Sequence, residues 1–213
     1  MNAVPAHIGI VGCSAEGAAL RRAVGARAAD NALPSSTSFE TITMCGAELH
    51  SLPESVQRVA RLLQDAGHPH APRMLDDAAR TAQQAADALG IAVGQIAKSI
   101  IFRRKADQAA VLVVTSGDRR VDEKKVDALV GKTGRADADF VKARTGFSIG
   151  GVSPFAHATA PVTLIDRELF RFSEIWAAAG HPHAVVRLAP QDLARLTGAP
   201  VADVVVAAAE PSA

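Results

Sequence analysis

Lys98 is the residue whose place in the sequence most suggests chemistry. It lies in the apolar run Ala97–Phe102, which predicts a buried strand with Lys98, Ile100 and Phe102 on one face. An ammonium group on an apolar face needs a ligand, a carboxylate or a cavity beside it, because its desolvation is costly. Lys98 is therefore a candidate site residue. The alternative is that its stem packs in the core while its amino group reaches solvent.

A second candidate is the segment Gly150-Gly151-Val152-Ser153-Pro154. Paired glycines let backbone N–H groups come close to a ligand, and proline stiffens the exit of the loop. Such a loop can hold a carbonyl or a phosphate oxygen. An ordinary tight turn explains the same residues, and the sequence pattern alone favours the turn.

The remaining polar clusters give weaker signals. The segment from Thr115 to Asp122 is rich in hydrogen-bond donors, and a turn followed by a helix cap at Asp122 explains most of it. His68-Pro-His70 and His181-Pro-His183 resemble pairs of metal ligands, but no cysteine or group of carboxylates completes either set. We therefore expect no metal, and His183 stays a candidate hydrogen-bonding group in a pocket.

No motif for an ordinary nucleophile or a nucleotide site is present. The sequence has no G-x-S-x-G elbow, no H-E-x-x-H and no Walker A segment. A reaction at Lys98 would therefore have to proceed without a recognisable nucleophile–base pair.

Helices and strands must position these residues. Periodicity and capping residues predict helices that begin at Ser51, Thr81, Asp122, Asp137 and Pro190 and that end near Gly67, Gly90, Gly131, Gly146 and Gly198. Apolar runs predict strands over Ala97–Phe102, Ala109–Thr115, Val162–Ile165 and Ala184–Leu188, and Ile175–Ala179 is ambiguous between strand and helix. This order predicts an α/β (α+β) domain rather than a regular βαβ array.

Composition and charge exclude several classes of protein. The chain has 213 residues, 48% hydrophobic and 21% charged, with two cysteines, Cys13 and Cys45. It has no apolar run of transmembrane length and no visible secretory signal, so we expect a cytoplasmic location. The net charge of +1 hides a basic middle, since Lys98–Arg144 holds twelve basic and seven acidic residues. That stretch could face phosphates.

Five segments together resemble the YbaK/ProX-type aminoacyl-tRNA deacylases, which are related to the editing domain of bacterial prolyl-tRNA synthetase. They are Thr81-Ala-Gln-Gln-Ala-Ala, Gly94-Gln-Ile-Ala-Lys98-Ser, Ser116-Gly-Asp-Arg-Arg-Val-Asp-Glu-Lys-Lys, Thr145-Gly-Phe-Ser-Ile-Gly-Gly-Val-Ser-Pro154 and Trp176-Ala-Ala-Ala-Gly-His-Pro-His183. They follow the family's order and span about residues 51–207. The resemblance implies a single domain with a mixed, partly barrel-like sheet.

The resemblance also implies a reaction, hydrolysis of the ester between a wrong amino acid and the tRNA 3′ end. Lys98 matches the family's essential lysine, and Gly150–Pro154 matches its G-x-x-x-P loop. An ordered water and a tRNA ribose hydroxyl would carry the chemistry, with no cofactor or metal. Other implied substrate-binding residues are Thr81, Gly150, Gly151, Ser153, Pro154, Ala178, Gly180 and His183. Candidate tRNA-binding residues in the basic middle are Arg103, Arg104, Arg119 and Arg120.

The amino acid and the partners stay open. Family members specialised for cysteine carry serine near the position of Ala178, so the resemblance favours another small amino acid. The expected partner is aminoacyl-tRNA, with an aminoacyl-tRNA synthetase as a further candidate and no membrane. The alternative function is a non-catalytic module that binds tRNA or a synthetase.

The N-terminal residues form a separate segment. Residues 7–20 resemble the start of aspartate/glutamate racemases, but the two-domain fold and opposed cysteines of that family do not follow, so we expect no racemase activity. We interpret residues 1–50 as an appendage, either a fusion remnant or the product of a misread start with Met44 as initiator. Residues 51–207 are then the deacylase-like domain, and 208–213 a flexible tail.

Overall fold

The structure is a computed structural model that describes residues 51–77, 79 and 81–207. The predictions for residues 1–50 and 208–213 lie outside the described residues. Five α-helices are present in this part of the chain: α1 (Glu54–Asp65), α2 (Ala82–Leu89), α3 (Glu123–Val130), α4 (Ala138–Thr145) and α5 (Pro190–Thr197). Two short 3₁₀ helices cover Val93–Gln95 and Arg167–Arg171.

Eight strands form one mixed sheet. They are β1 (Arg73–Met74), β2 (Ile96–Arg104), β3 (Ala110–Ser116), β4 (Thr133–Arg135), β5 (Val162–Asp166), β6 (Ile175–Ala178), β7 (Ala184–Leu188) and β8 (Val201–Ala202). Their order is β1-β7-β6-β2-β3-β5-β8, and β4 also pairs with β2. The α/β prediction with a mixed sheet is therefore confirmed.

Strand β2 is the centre of this sheet. It pairs with β3 in antiparallel fashion from Ala97 to Arg103. Its other edge is shared, since β6 pairs in parallel at Ile96 and Ala97 while β4 pairs at Phe102–Arg104. Lys98 thus lies just after the end of the β6 pairing, at a point where that edge of β2 is open.

The core lies on both faces of the sheet. Strand β3 is buried along its whole length, which is why its sequence shows no alternation of apolar and polar residues. On one face, the residues of α1 pack against β3, β6 and β7, with Val56, Val59 and Leu63 fully buried there. On the other face, a smaller cluster joins Phe102, Val113 and Leu164 to α3.

Most of the predicted helix ends are confirmed, and one is wrong. Thr81 caps α2 in a full capping box with Gln84, and the side chains of Asp122 and Asp137 cap α3 and α4. Helix α1 begins at Glu54 after Pro53 rather than after Ser51, because Pro53 takes the N-cap position without a side-chain cap. Proline is tolerated at this position because the first N–H groups of a helix have no partner within the helix.

Three short strands were not predicted. Strands β1, β4 and β8 have two or three residues each, too few for a periodic pattern. The ambiguous segment at Ile175 is a strand, and its antiparallel pairing with Ala184–Leu188 confirms the predicted hairpin. Within the described residues, no helix is both long enough and apolar enough to span a bilayer.

Candidate functional site

Lys98 lines a cavity of about 270 Å³. Its walls come from the start of α2, from β2, from the Gly150 loop and from the β6–β7 hairpin. The lining side chains are mostly apolar, and Thr81, Ala82, Ile100, Ile149, Trp176, Ala178 and Pro182 are among them. Lys98 thus forms part of the wall of a mostly apolar hollow that opens to solvent.

The Lys98 ammonium is held by two backbone carbonyls. Its Nζ donates to the carbonyl oxygens of Arg119 at 2.5 Å and of Gly117 at 3.3 Å. Burial lowers the pKa of Lys98, and the negative charges of Asp118 and Asp166 act in the opposite direction. An ammonium has three N–H donors, so these two bonds leave one donor for a further partner.

Side-chain contacts fix the turn that supplies those carbonyls. The Ser116 hydroxyl lies within hydrogen-bond distance of both the Gly94 carbonyl and Asp118, and Arg171 binds both carboxylate oxygens of Asp118. Burial by itself would raise the pKa of Asp118, but hydrogen bonds from Arg171 and Ser116 hold it below its usual value. Glu168 accepts hydrogen bonds from both Arg119 and Arg171. The turn is therefore rigid, and so is the position of the ammonium.

A buried hydrogen bond sits on the same face of the sheet as Lys98. Thr115 is the register partner of Lys98 on β3, and its hydroxyl donates to Asp166 Oδ2 at 2.8 Å. Asp166 is fully buried, and its other oxygen caps the following 3₁₀ helix at Glu168. A carboxylate is thus kept close enough to favour the charged form of Lys98.

The Gly150–Pro154 loop forms another wall. Gly150 has φ +89°, a conformation that favours glycine, and it lines the cavity together with Val152. A Cβ at Gly151 would lie 2.7 Å from backbone atoms of His181, so only glycine allows the loop and the hairpin to approach this closely. Ser153 and Pro154, at the end of the loop, are buried. The Ser153 hydroxyl accepts a hydrogen bond from the Phe155 amide at 3.4 Å.

The β6–β7 hairpin completes the site. Gly180 has φ +95°, and a Cβ there would lie 2.6 Å from the Ser55 carbonyl oxygen of α1's first turn. His183 Nδ1 lies 3.3 Å from the Leu75 carbonyl oxygen, and its amide donates to His181 Nδ1. His183 therefore ties the hairpin to the segment after β1.

The structure brings together some of the sequence-predicted residues and separates others. Thr81, Lys98, Gly150 and Ala178 line one cavity, although the Thr81 hydroxyl is also the cap of α2. Five other predicted residues do not line this cavity: Gly151, Ser153, Pro154, Gly180 and His183.

The four predicted tRNA-binding arginines do not form one group. Arg103 pairs with Asp137 at 2.9 Å, and Arg104 pairs with Asp107 at 2.6 Å, both at the end of β2 away from Lys98. Arg119 binds Glu168 beside the Lys98 turn. Arg120, next to it, is exposed.

Sequence reasoning missed several residues around the cavity. Ile149 is 61% exposed at its rim, an unusual exposure for a large apolar side chain. Trp176 forms part of a wall, and the Arg171–Asp118 pair fixes the turn; neither was singled out as a site residue. Their contacts join distant segments, so no local pattern marks them.

No residue set for a metal was found in this part of the chain. Among residues 51–77, 79 and 81–207, no group of three or more His, Cys, Asp or Glu side chains lies close enough to hold an ion.

Comparisons with known proteins assign this chain to a family. The model of the aminoacyl-tRNA editing domain matches residues 76–196. The chain therefore belongs to the aminoacyl-tRNA editing domain family, as the resemblance predicts.

Individual relatives agree with this assignment. The uncharacterized protein YwhH of Bacillus subtilis (strain 168) is 36% identical over 118 residues, which cover 55% of this chain and 74% of that protein. The crystal structure of a candidate trans-editing enzyme for prolyl-tRNA synthetase matches with a TM-score of 0.68 and 39% identity, over 73% of this chain and 99% of that one. The hypothetical protein APE2540 matches with a TM-score of 0.66 and 30% identity, over 70% of this chain and 99% of that one.

Proposed function

We propose that this protein is a trans-editing hydrolase, which removes a wrongly attached small amino acid from the 3′ end of tRNA. The observation that carries the proposal is Lys98 in the wall of a mostly apolar cavity that Gly150 and Val152 of the Gly150–Pro154 loop also line. Membership in the editing-domain family and the likeness to a candidate trans-editing enzyme support deacylation as the type of reaction. We further propose that it acts in the cytoplasm, on aminoacyl-tRNA released from a synthetase.

The hydrogen-bond donors around the cavity suit an ester substrate. The Gly151 amide already donates to the Ser148 carbonyl at 2.9 Å. Gly150 and Val152 line the cavity, and we propose their amides as the loop donors to the aminoacyl carbonyl oxygen. Donors fixed in this way stabilise the negative charge that develops on that oxygen when water attacks. Lys98 would orient the substrate through its remaining N–H.

The cavity wall favours a small amino acid. Several lining residues are alanines, among them Ala85, Ala177, Ala178 and Ala184. A pocket of this kind discriminates by size, and one methylene group changes binding by about 1–3 kcal/mol. We therefore propose alanine, serine, threonine or a similarly small residue as the amino acid that is removed.

The test is a deacylation assay on a panel of mischarged tRNAs, with and without the matching synthetase. We expect release of a small amino acid by the parent protein and a loss of at least about 100-fold in rate for Lys98→Ala and Lys98→Met. Lys124→Ala is the matched control, because Lys124 is exposed on α3 and does not line the cavity. Folding of both Lys98 variants is checked by thermal unfolding.

Two results would contradict the proposal. If the Lys98 variants release amino acid as fast as the parent, Lys98 has no part in the reaction. If no tRNA in the panel is deacylated under any condition, the alternative of a non-catalytic tRNA- or synthetase-binding module is favoured.

A further inference from the structure

The Gly150–Pro154 loop belongs to a longer segment that backbone hydrogen bonds close at its base. The Ala158 amide donates to the Thr145 carbonyl at 3.0 Å, and the Thr159 amide donates to the Arg144 carbonyl at 3.1 Å. The chain between these bonds leaves the C-terminal end of α4 and returns to it. Contacts near this base are therefore well placed to orient the whole segment.

Arg58 of α1 reaches into this base and contacts both ends of the segment. Its Nε donates to the Ala156 carbonyl at 2.8 Å, at the returning end. Its guanidinium carbon lies 4.6 Å from the centre of the Phe147 ring, at the outgoing end. A Cβ at Gly146 would lie 2.8 Å from Arg58 Nη2, so the guanidinium packs directly against the backbone there. One side chain of α1 thus joins the two ends.

The backbone of Ala156 shows that its end of the segment is held in place. Ala156 has φ +60°, a conformation that residues with a Cβ rarely adopt. Such a conformation persists where the surrounding contacts impose it. The bond from Arg58 to the Ala156 carbonyl is a contact of this kind. We expect its loss to release the chain two residues after Pro154.

The Phe147 ring connects the base to two walls of the Lys98 cavity. Phe147 is fully buried, and the His157 ring packs edge-on against it at 5.7 Å between centres. His157 in turn hydrogen-bonds to the backbone of Ser153, inside the glycine-rich loop. A Cβ at Gly180 would lie 3.1 Å from Phe147 Cε1, so the ring also supports the β6–β7 hairpin.

Arg58 does not line the Lys98 cavity, so an effect on a reaction there would act through the loop. Gly150 and Val152 do line it. Hydrogen-bond donors stabilise a developing oxyanion only when the fold has aimed them beforehand. A displacement of about 1 Å caused by a distant substitution can lower a rate about 100-fold.

We propose that Arg58 is a positioning residue, which holds both ends of the segment so that the amides of Gly150 and Val152 stay directed at the aminoacyl carbonyl oxygen. This role rests on the proposed function, because it assumes that these amides act on an ester. The holding of the loop itself does not depend on the reaction and can be measured without it.

The first experiment compares the kinetics of Arg58→Met and Arg61→Met on a mischarged tRNA. Arg61 is the matched control, because it lies on the same helix, is exposed and bonds to the Gln57 side chain. We expect Arg58→Met to lower kcat at least about tenfold and to leave KM within about twofold, since the cavity wall is unchanged. Arg61→Met should behave like the parent.

Arg58→Lys tests the contact rather than the residue. A lysine can restore a hydrogen bond to the Ala156 carbonyl but not the planar contact with the Phe147 ring. We therefore expect it to recover part of the lost kcat. Thermal unfolding of each variant sets an assay temperature at which it is folded, and Arg58→Lys carries the test if Arg58→Met does not fold.

The second experiment reads the loop without any substrate. Backbone ¹⁵N relaxation, both order parameters and relaxation dispersion, is measured at Gly150 and Val152 in the parent and in each variant. These methods together cover motion from picoseconds to milliseconds. We expect greater mobility at both amides in Arg58→Met, with the amides of β3 unchanged. A general loss of stability would not single out the loop.

Three results would overturn the positioning role. They are a kcat for Arg58→Met equal to that of Arg61→Met, an unchanged mobility of Gly150 and Val152, and a rise in KM alone, which would place Arg58 on the tRNA-binding surface instead. If the parent deacylates no tRNA, the proposed function fails, and the relaxation measurement still decides whether Arg58 holds the loop.

Discussion

Lys98 lines a cavity whose other lining residues are mostly apolar. Burial lowers the pKa of Lys98, which means that the folded protein holds the ammonium form less easily than water does. Two carbonyls and the carboxylates of Asp118 and Asp166 reduce this cost. A stable fold does not need such a residue, since a methionine would fill the same space. The fold therefore keeps, at a cost in stability, the amino group that the proposed function requires.

His157 gives stability a pH dependence that can be isolated. Its folded pKa is about 4, against 6.5 as the ordinary value, so the unfolded chain binds more protons between these limits. The contribution of neutral His157 to the free energy of unfolding is fully present above pH 6.5. It is lost as the pH falls to 4, and the loss is about 3 kcal/mol at most. We expect His157→Gln to remove this part of the dependence.

The measurement is urea unfolding of both proteins at several pH values from 4 to 7. Burial also lowers the pKa of His70, so only the difference between parent and variant reports on His157. Parallel curves of unfolding free energy against pH would contradict a neutral, buried His157.

At the scale of elements, local chemistry predicted the helices better than the sheet. Thr81, Asp122 and Asp137 are caps because their side chains bond to amides within three residues, a rule that sequence alone reveals. Strands β1 and β8 exist through partners far along the chain, so nothing local marks them. The site divides in the same way. Lys98 and Gly150 could be predicted as site residues from their residue types and sequence context. The backbone carbonyls that accept from Lys98, and the bond of Arg171 to Asp118 in the same turn, could not be predicted, because they depend on segments far apart in the sequence.

Helix α1 packs unusually close to the β6–β7 hairpin, and a matched pair of glycines tests this contact. Gly180 and Gly131 have similar positive φ values, +95° and +89°. A Cβ at Gly180 would lie 2.6 Å from the Ser55 carbonyl oxygen, while one at Gly131 would meet only Arg104 Cδ at 3.9 Å. Alanine is strained in its backbone at both positions, whereas a collision with a neighbouring backbone atom arises only at Gly180.

We expect Gly180→Ala to lower the free energy of unfolding by about 2 kcal/mol more than Gly131→Ala does. Urea unfolding of the two variants and the parent measures the difference. Equal destabilisation would mean that α1 does not approach the hairpin as the structure shows, and that glycine at 180 serves only its backbone conformation.

At the scale of the whole molecule, the arginines predicted to bind tRNA lie at two separate places on the fold. Lys98 and Arg104 are six residues apart on β2, which corresponds to about 20 Å at 3.3 Å per residue. At the far end, Arg103 and Arg104 are paired with Asp137 and Asp107. Arg120 follows the turn that holds Lys98, and it forms no ion pair with another described residue. If the 3′ end of a tRNA enters the Lys98 cavity, we expect Arg120 to lie on its route, because Arg120 is exposed and follows the turn that holds Lys98.

Salt dependence of tRNA binding distinguishes these two places. We expect Arg120→Gln to weaken tRNA binding and to reduce the slope of log affinity against log salt by about 0.7–0.9, because one phosphate contact is lost. Arg104→Gln is the matched control and should change neither quantity, since its guanidinium is already held by both oxygens of Asp107. Binding is measured by fluorescence anisotropy of labelled tRNA between 50 and about 300 mM salt, a range over which such contacts weaken strongly. A larger effect of Arg104→Gln would place the tRNA along the far end of β2, and the route past Arg120 would then be wrong.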